Sequence, residues 1–232
     1  MSPSRLPAAA HLENPGWGAI FDWDGVVIDS SAAHEESWER VSRETGKPLP
    51  EGHFKKGFGR KNEVIIPEIL GWTSDPAEIS RIARRKEALY RDIVKERGIQ
   101  PLPGVEMWLK KLNARGIPCV IGSSTARLNI DTVLEIIGLS ASFADIVTGD
   151  DVSKGKPDPE VFLIAARRIG RVPGFCVVFE DAHVGIEAAH RAGMKAVAVA
   201  TTNPLEELGE AEIAVRRLDE LDIERITALF EM

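Results

Sequence analysis

Short, nearly unbroken apolar runs recur along the chain: WGAIFDW (17–23), IPCVIGSS (117–124), ADIVTGD (144–150), GFCVVFED (174–181), KAVAVATT (195–202) and EIAV (212–215). Runs this short and this continuous are expected of strands buried on both faces of a parallel sheet. Helix-length amphipathic segments lie between them. PGVEMWLKKLNARG (103–116) opens on proline and closes on glycine, the usual helix asymmetry. TARLNIDTVLEIIG (125–138), PDPEVFLIAARRIG (157–170) and DAHVGIEAAHRAG (181–193) end the same way. From about residue 102 onward, helix alternates with strand, which predicts a doubly wound α/β domain.

The stretch 31–98 breaks this rhythm. It carries the charged, helix-patterned segments SAAHEESWERVSRETG, KNEVIIPEILGW and PAEISRIARRKEALYRDIVKERG and no convincing strand. Placed directly after the first strand, it reads as a helical cap inserted into an α/β core made of 17–30 and 99–232. Residues 1–16 read as a mobile tail without the apolar stretch of a secretory signal. No internal repeat or low-complexity tract is evident.

Composition narrows the classes. Apolar residues make up 44% of 232 and charged residues 28%, enough to build a core. With 29 Lys plus Arg against 36 Asp plus Glu, the net charge of -7 argues against a nucleic-acid or anionic-membrane partner. No apolar run reaches the roughly 20 residues that span a bilayer. Two cysteines, Cys119 and Cys176, both inside strand-like runs, predict buried reduced thiols and a cytoplasmic protein. A monomer is expected.

In a parallel sheet, ligands gather beyond the carboxyl ends of the strands. The first run ends in Asp22 and Asp24, the second in Ser123, Ser124 and Thr125, and the fourth in Glu180 and Asp181. The third is followed by GDDVSKGKPDP, with Lys154 and Lys156. Each has a plain alternative: Asp24-Gly25 as a turn, Ser124 or Thr125 as a helix cap, Lys156 as a solvated lysine, Glu180-Asp181 as a favourable helix start. Those alternatives do not account for all four at successive strand ends. Residues i and i+2 of a strand share a face, so Asp22 and Asp24 could reach one ligand. Clustered carboxylates repel unless a cation sits among them, and an all-oxygen set suits Mg²⁺. Lysine and hydroxyl groups complement phosphate oxygens, and an aspartate can accept a phosphoryl group.

With these motifs in hand, the chain resembles the haloacid-dehalogenase superfamily of phosphotransferases. It is most similar to the helical-cap branch that includes β-phosphoglucomutase-like proteins and small-molecule phosphatases. The motifs are DWDGV, GSST, KGKPDPEVF and FEDAHVGIEAAHRAGM, and the likeness runs from about Gly18 to the last helix. The resemblance implies Asp22 as nucleophile and Asp24 as general acid and base. It implies Gly25, Ser124, Thr125 and Lys156 around the phosphoryl group. Mg²⁺ would take Asp22, the Asp24 carbonyl, Asp181 and Glu180. His34, Trp38, Arg60 and Lys86 fall near the cap positions that recognise a sugar phosphate. Asp24, Glu180 and Asp181 argue against a dehalogenase, and Asp24 against a phosphonoacetaldehyde hydrolase. Where the mutases carry Ser-x-Ser-Lys-Asn, this chain has SSTARL, with Ala126, Arg127 and Leu128. The expected function is an Mg²⁺-dependent phosphatase acting on a small phosphorylated metabolite, a sugar phosphate, through phospho-Asp22. The alternatives are a phosphosugar mutase, a pyrophosphatase and a non-catalytic binding protein.

Overall fold

The computed structural model describes residues 16–57 and 60–231. The tail expected over 1–16 lies, apart from Gly16, outside the described residues. β1 (Gly18–Phe21) is followed by the helices of the insertion: α1 (Ser31–Thr45), α2 (His53–Gly57), α3 (Asn62–Val64) and α4 (Pro76–Arg97). The alternating part then runs α5 (Val105–Ala114), β2 (Cys119–Gly122), α6 (Arg127–Ile137), β3 (Asp145–Val147), α7 (Glu160–Arg168) and β4 (Cys176–Glu180). It ends with α8 (His183–Arg191), β5 (Lys195–Val199), β6 (Ile213–Val215) and α9 (Ile223–Thr227). All six expected strands form. They build one parallel sheet in the order β3-β2-β1-β4-β5-β6, with β1 between β2 and β4.

The continuous apolar runs are explained by burial on both faces. Ala19, Phe21, Ile121, Val177, Phe179 and Val197 point to one side, where they meet Trp108, Leu109 and Leu112 of α5. Ile20, Val120, Val178, Ala196 and Ala198 point to the other and meet Phe162 of α7 and Ile186 of α8. Phe21 stacks on Phe179 at 4.5 Å between ring centroids, and Trp108 meets Phe179 edge-on. Such pairs pin the β1–β4 register that sets the two acidic strand ends side by side. Cys119 and Cys176 are free and buried in β2 and β4, where burial pushes both thiols up to about 12. They are packing groups, not nucleophiles.

No strand occurs among the described residues of 31–98. Trp38, Val41, Ile66, Leu70, Trp72, Ile82 and Leu89 form an apolar cluster of their own. Tyr90 and Val94, further along α4, pack instead with the sheet's core. The chain leaves and returns at neighbouring points: Ile28 bridges Pro101, and Leu102 N–H donates to Val27 at 2.9 Å. α4 begins at Pro76 behind Asp75, whose carboxylate accepts from Ala77 N–H, and stops before Gly98. The helix expected over 61–72 is shorter than its pattern. After Val64 it widens into a π-helical turn, Ile65–Ile69, with Leu70 N–H donating to Ile65. Pro67 has no N–H to offer Glu63, so the regular ladder cannot continue through it.

Candidate active site

β1 delivers its two aspartates at the carboxyl edge of the sheet. Behind Phe21 the chain turns tightly: Trp23 carbonyl accepts from Val27 and Ile28, and Gly25 N–H donates back to Ile28 at 2.8 Å. The turn reading of Asp24-Gly25 is therefore also true, but it forms no hairpin, because the sheet is entirely parallel. Gly25 sits at φ +82°, and a Cβ there would land on the Asp181 carboxylate. Only glycine lets the backbone pass so close to that carboxylate.

Asp22, Glu180 and Asp181 are buried, and one oxygen from each lies within 4.8 Å of the others. Lys156, from the loop after β3, reaches into this group, with Nζ 2.8 Å from Asp22 Oδ1 and 2.5 Å from Glu180 Oε1. Glu180 Oε2 accepts from the N–H groups of Asp181 and Ala182 at 2.9 and 3.0 Å. The Asp181 carboxylate accepts from Thr202 Oγ1, and its carbonyl from Asn203 Nδ2 at 2.9 Å. One lysine does not offset three carboxylates. Burial raises Asp22 to about 7, with Glu180 and Asp24 adding repulsion and Lys156 opposing it. Burial, Glu180 and Asp22 likewise hold Asp181 well above the usual carboxylate range. Lys156 is held above its ordinary value, Asp22 and Glu180 outweighing the cost of burial. A buried, under-compensated, all-oxygen donor set fits a hard divalent cation.

Asp24 lies outside that cluster and is solvated by side chains. Its carboxylate accepts from Ser30 Oγ and Thr125 Oγ1, and His34 Nε2 lies 3.8 Å away. Burial alone would raise it, but His34, Ser30 and Thr125 outweigh that and hold it below the usual range. Two carboxylates two residues apart are thus driven in opposite directions by their surroundings: Asp22 upward by burial among like charges that a cation would offset, Asp24 downward by the donors around it.

The insertion's expected residues are placed unequally. Lys86, buried on α4, donates to His34 Nδ1 at 2.7 Å, and His34 stacks on Tyr90 at 4.1 Å. Trp38 is buried among the insertion's apolar residues, edge-on to Trp72, with Lys86 Nζ 5.3 Å from its ring centre. Arg60 is exposed beyond α2 and takes no part in these contacts. Ser124 is half-buried beside Gly149, where a Cβ would collide with the Ser124 carbonyl. The sequence reading missed Ser30, Tyr90, Glu87, Asn129, Gly185, Thr202 and Asn203. Only Gly185 left a usable signal, a glycine inside a helical pattern. A Cβ at Gly185 would overlap the Glu180 carboxyl. Gly185→Ala is expected to drive Glu180 out of its bonds with Lys156 and two N–H groups. Each buried group left unpaired costs about 1–3 kcal/mol, so the melting temperature should fall together with activity. An unchanged melt would refute this account of the glycine.

Glu87 is a half-buried acid at the insertion's contact with α6. Burial would raise it, but the charge of Lys86 and the amides of Asn62 and Asn129 outweigh this and hold it at about 2, from an ordinary 4.5. A depressed acid stabilises the fold above its unfolded value and loses that contribution as pH falls through the folded one. The gap corresponds to about 3 kcal/mol. Glu87→Gln should therefore flatten the decline of stability between pH 4.5 and 2, read as urea midpoint against pH; parallel curves for the two proteins would contradict it.

Comparison with known proteins bears on this geometry. The model of the haloacid dehalogenase-like hydrolases matches residues 18–193. The chain belongs to that family. This hydrolase is 41% identical over 212 residues to the chloroplastic 5-amino-6-(5-phospho-D-ribitylamino)uracil phosphatase of Arabidopsis thaliana, a match covering 90% of the chain and 56% of that relative. The chain thus spans little more than half the length of that plant protein. It is 31% identical over 211 residues to the β-phosphoglucomutase of Bacillus subtilis, covering 88% of the chain and 91% of the mutase. Its fold matches a haloacid dehalogenase hydrolase of family IA, variant 3, from Entamoeba histolytica with TM-score 0.84 at 29% identity, covering 93% of the chain and 100% of that structure. The hydrolase belongs to a family of enzymes, and the two curated relatives named are a phosphatase and a mutase of small phosphorylated compounds. No helix among the described residues is long and apolar enough to cross a membrane.

Proposed function

We propose that this hydrolase is an Mg²⁺-dependent phosphatase of small phosphorylated metabolites, of the sugar or polyol phosphate kind. The observation that carries the reading is the junction of Lys156 with Asp22 and Glu180 beside an Asp24 held by Ser30 and Thr125. Asp22 Oδ attacks phosphorus, the P–O bond to the ester breaks, and the departing oxygen takes a proton from Asp24. Water then attacks the phospho-aspartate, gives its proton to Asp24, and the P–O bond to Asp22 breaks. Lys156, Ser124 and Thr125 surround the phosphoryl oxygens. Asp22, Asp181, Glu180 and the Asp24 carbonyl would hold the cation, which supplies positive charge that ionises Asp22 and offsets the charge of the phosphate. Asp24 in turn rises when an anionic phosphate faces it, which loads it as an acid.

The 31–98 insertion acts as the cap over this site, with 17–30 and 99–232 as the core. His34 and Lys86 face the substrate side of Asp24, while Trp38 supports Lys86 from below and Arg60 stands at the cap's rim. The enzyme works as a monomer in the cytoplasm. A specific observation favours a phosphatase over a mutase. Arg127 pairs with Asp131 on its own helix at 2.9 Å, and Leu128 is 65% exposed, so neither is committed to gripping a second phosphate. Chelating the divalent cation with EDTA is expected to abolish phosphate release from ribose 5-phosphate, and adding Mg²⁺ back to restore it. Release that persists undiminished in EDTA would overturn the metal-dependent reading.

A further inference from the structure

Beyond the pairs already described, one hydrogen-bonded junction links the insertion to α6. Asn129 of α6 is 1% exposed. Its Oδ1 accepts from Arg91 Nη1 of α4 at 2.8 Å, and its Nδ2 donates to Glu87 Oε2, also of α4. Glu87 Oε1 accepts from Asn62 Nδ2 at 2.7 Å and pairs with Lys86 Nζ at 3.1 Å. Lys86 in turn donates to His34 Nδ1, and His34 Nε2 faces Asp24.

We propose that Asn129 and Glu87 are positioning residues for Asp24: a clasp between α6 and α4 that fixes Lys86, and through it the orientation and tautomer of His34. This rests on the proposed role of Asp24.

The chemistry leaves the clasp one arrangement. A guanidinium only donates, so the carbonyl end of Asn129 must face Arg91 and its NH₂ end must face an acceptor, which Glu87 provides. An ammonium also only donates, so the lone pair of His34 Nδ1 must face Lys86. The proton of the neutral ring then sits on Nε2, toward Asp24. A negative Glu87 between two amide donors and one ammonium is the acceptor on which the chain of contacts converges. With a glutamine in place of Glu87, an NH₂ group would confront the NH₂ of Asn62 or of Asn129. Asn129 cannot turn over without presenting its own NH₂ to Arg91.

Glu87→Gln, Asn129→Asp and the double exchange Glu87→Gln/Asn129→Asp separate positioning from plain structural damage. In the exchange, the amide introduced on α4 donates to the carboxylate introduced on α6, and that carboxylate also accepts from Arg91. Each hydrogen bond of the clasp is thus remade, with donor and acceptor swapped between the two helices and the negative charge moved from α4 to α6 beside Arg91. Each single variant is expected to lower kcat on ribose 5-phosphate by about tenfold or more, and on p-nitrophenyl phosphate by less than about threefold, since that leaving group needs little help from Asp24. The exchange should return the first rate to within about threefold of wild type. Equal losses on the two substrates, or an exchange no better than the singles, would overturn the proposal.

The ring-nitrogen NMR spectrum of His34 judges the clasp without turnover. The Nε2–H tautomer in wild type and in the exchange variant, lost in Glu87→Gln, supports it. The Nδ1–H form in wild type, or an unchanged spectrum in Glu87→Gln, overturns it. Wild-type protein that releases phosphate from no monoester with Mg²⁺ would sink the phosphatase reading alone, and the His34 spectrum would still judge the clasp.

Discussion

Asp22→Asn is expected to abolish phosphate release from every ester while leaving the fold intact. The amide cannot attack phosphorus, and no neighbour can replace it: Glu180 is tied to Lys156 and two N–H groups, and Asp181 to Thr202. A loss of at least about a thousandfold is expected for removal of a nucleophile. The melting temperature should hold, because the variant removes one of three buried, mutually repelling carboxylates without emptying any space. Two readings check it: residual phosphate release, and mass spectrometry of acid-quenched wild-type enzyme for a phosphorylated peptide containing Asp22. Activity within tenfold of wild type, or label found only elsewhere, would remove Asp22 from the centre of the account.

The second large effect concerns Asp24. Its two hydroxyl partners, Ser30 and Thr125, can each turn from donor to acceptor, so Asn is accommodated without a buried orphan. What is lost is the proton. Asp24→Asn should therefore slow turnover of ribose 5-phosphate, with its alkoxide leaving group, by about 10² to 10⁴. Turnover of p-nitrophenyl phosphate should fall far less. Steady-state kinetics with the two esters decides the matter, and an equal fall on both would show that Asp24 only shapes the site.

How much of this was visible in the chain follows from where each signal is stored. The sheet was legible because burial on both faces writes itself as unbroken apolar runs, as in CVIG and CVVFE. Asp22, Asp24, Lys156, Glu180 and Asp181 were legible because a parallel sheet brings all its carboxyl ends to one edge. The positions of His34 and Lys86 came from resemblance alone, and the structure puts them in contact. Glu87 and Asn129 were not legible: RRKEALYR reads as a solvated helix face, and their bond joins residues 42 apart in sequence. Thr202 and Asn203 follow a strand without any acidic or basic neighbour to mark them. Trp38 shows the opposite limit, since an aromatic at helical spacing looks the same whether it faces a ligand or fills a core.

The central claim is hydrolysis of a small phosphate ester at this site. Its most direct test is inorganic phosphate release with Mg²⁺ from a panel of sugar phosphates, nucleotides, pyrophosphate and 5-amino-6-(5-phospho-D-ribitylamino)uracil. β-Glucose 1-phosphate belongs in the panel, with glucose 6-phosphate followed in parallel. Stoichiometric free phosphate from one or more of the monoesters is the predicted result. Glucose 6-phosphate formed without phosphate release would contradict it and make the enzyme a mutase.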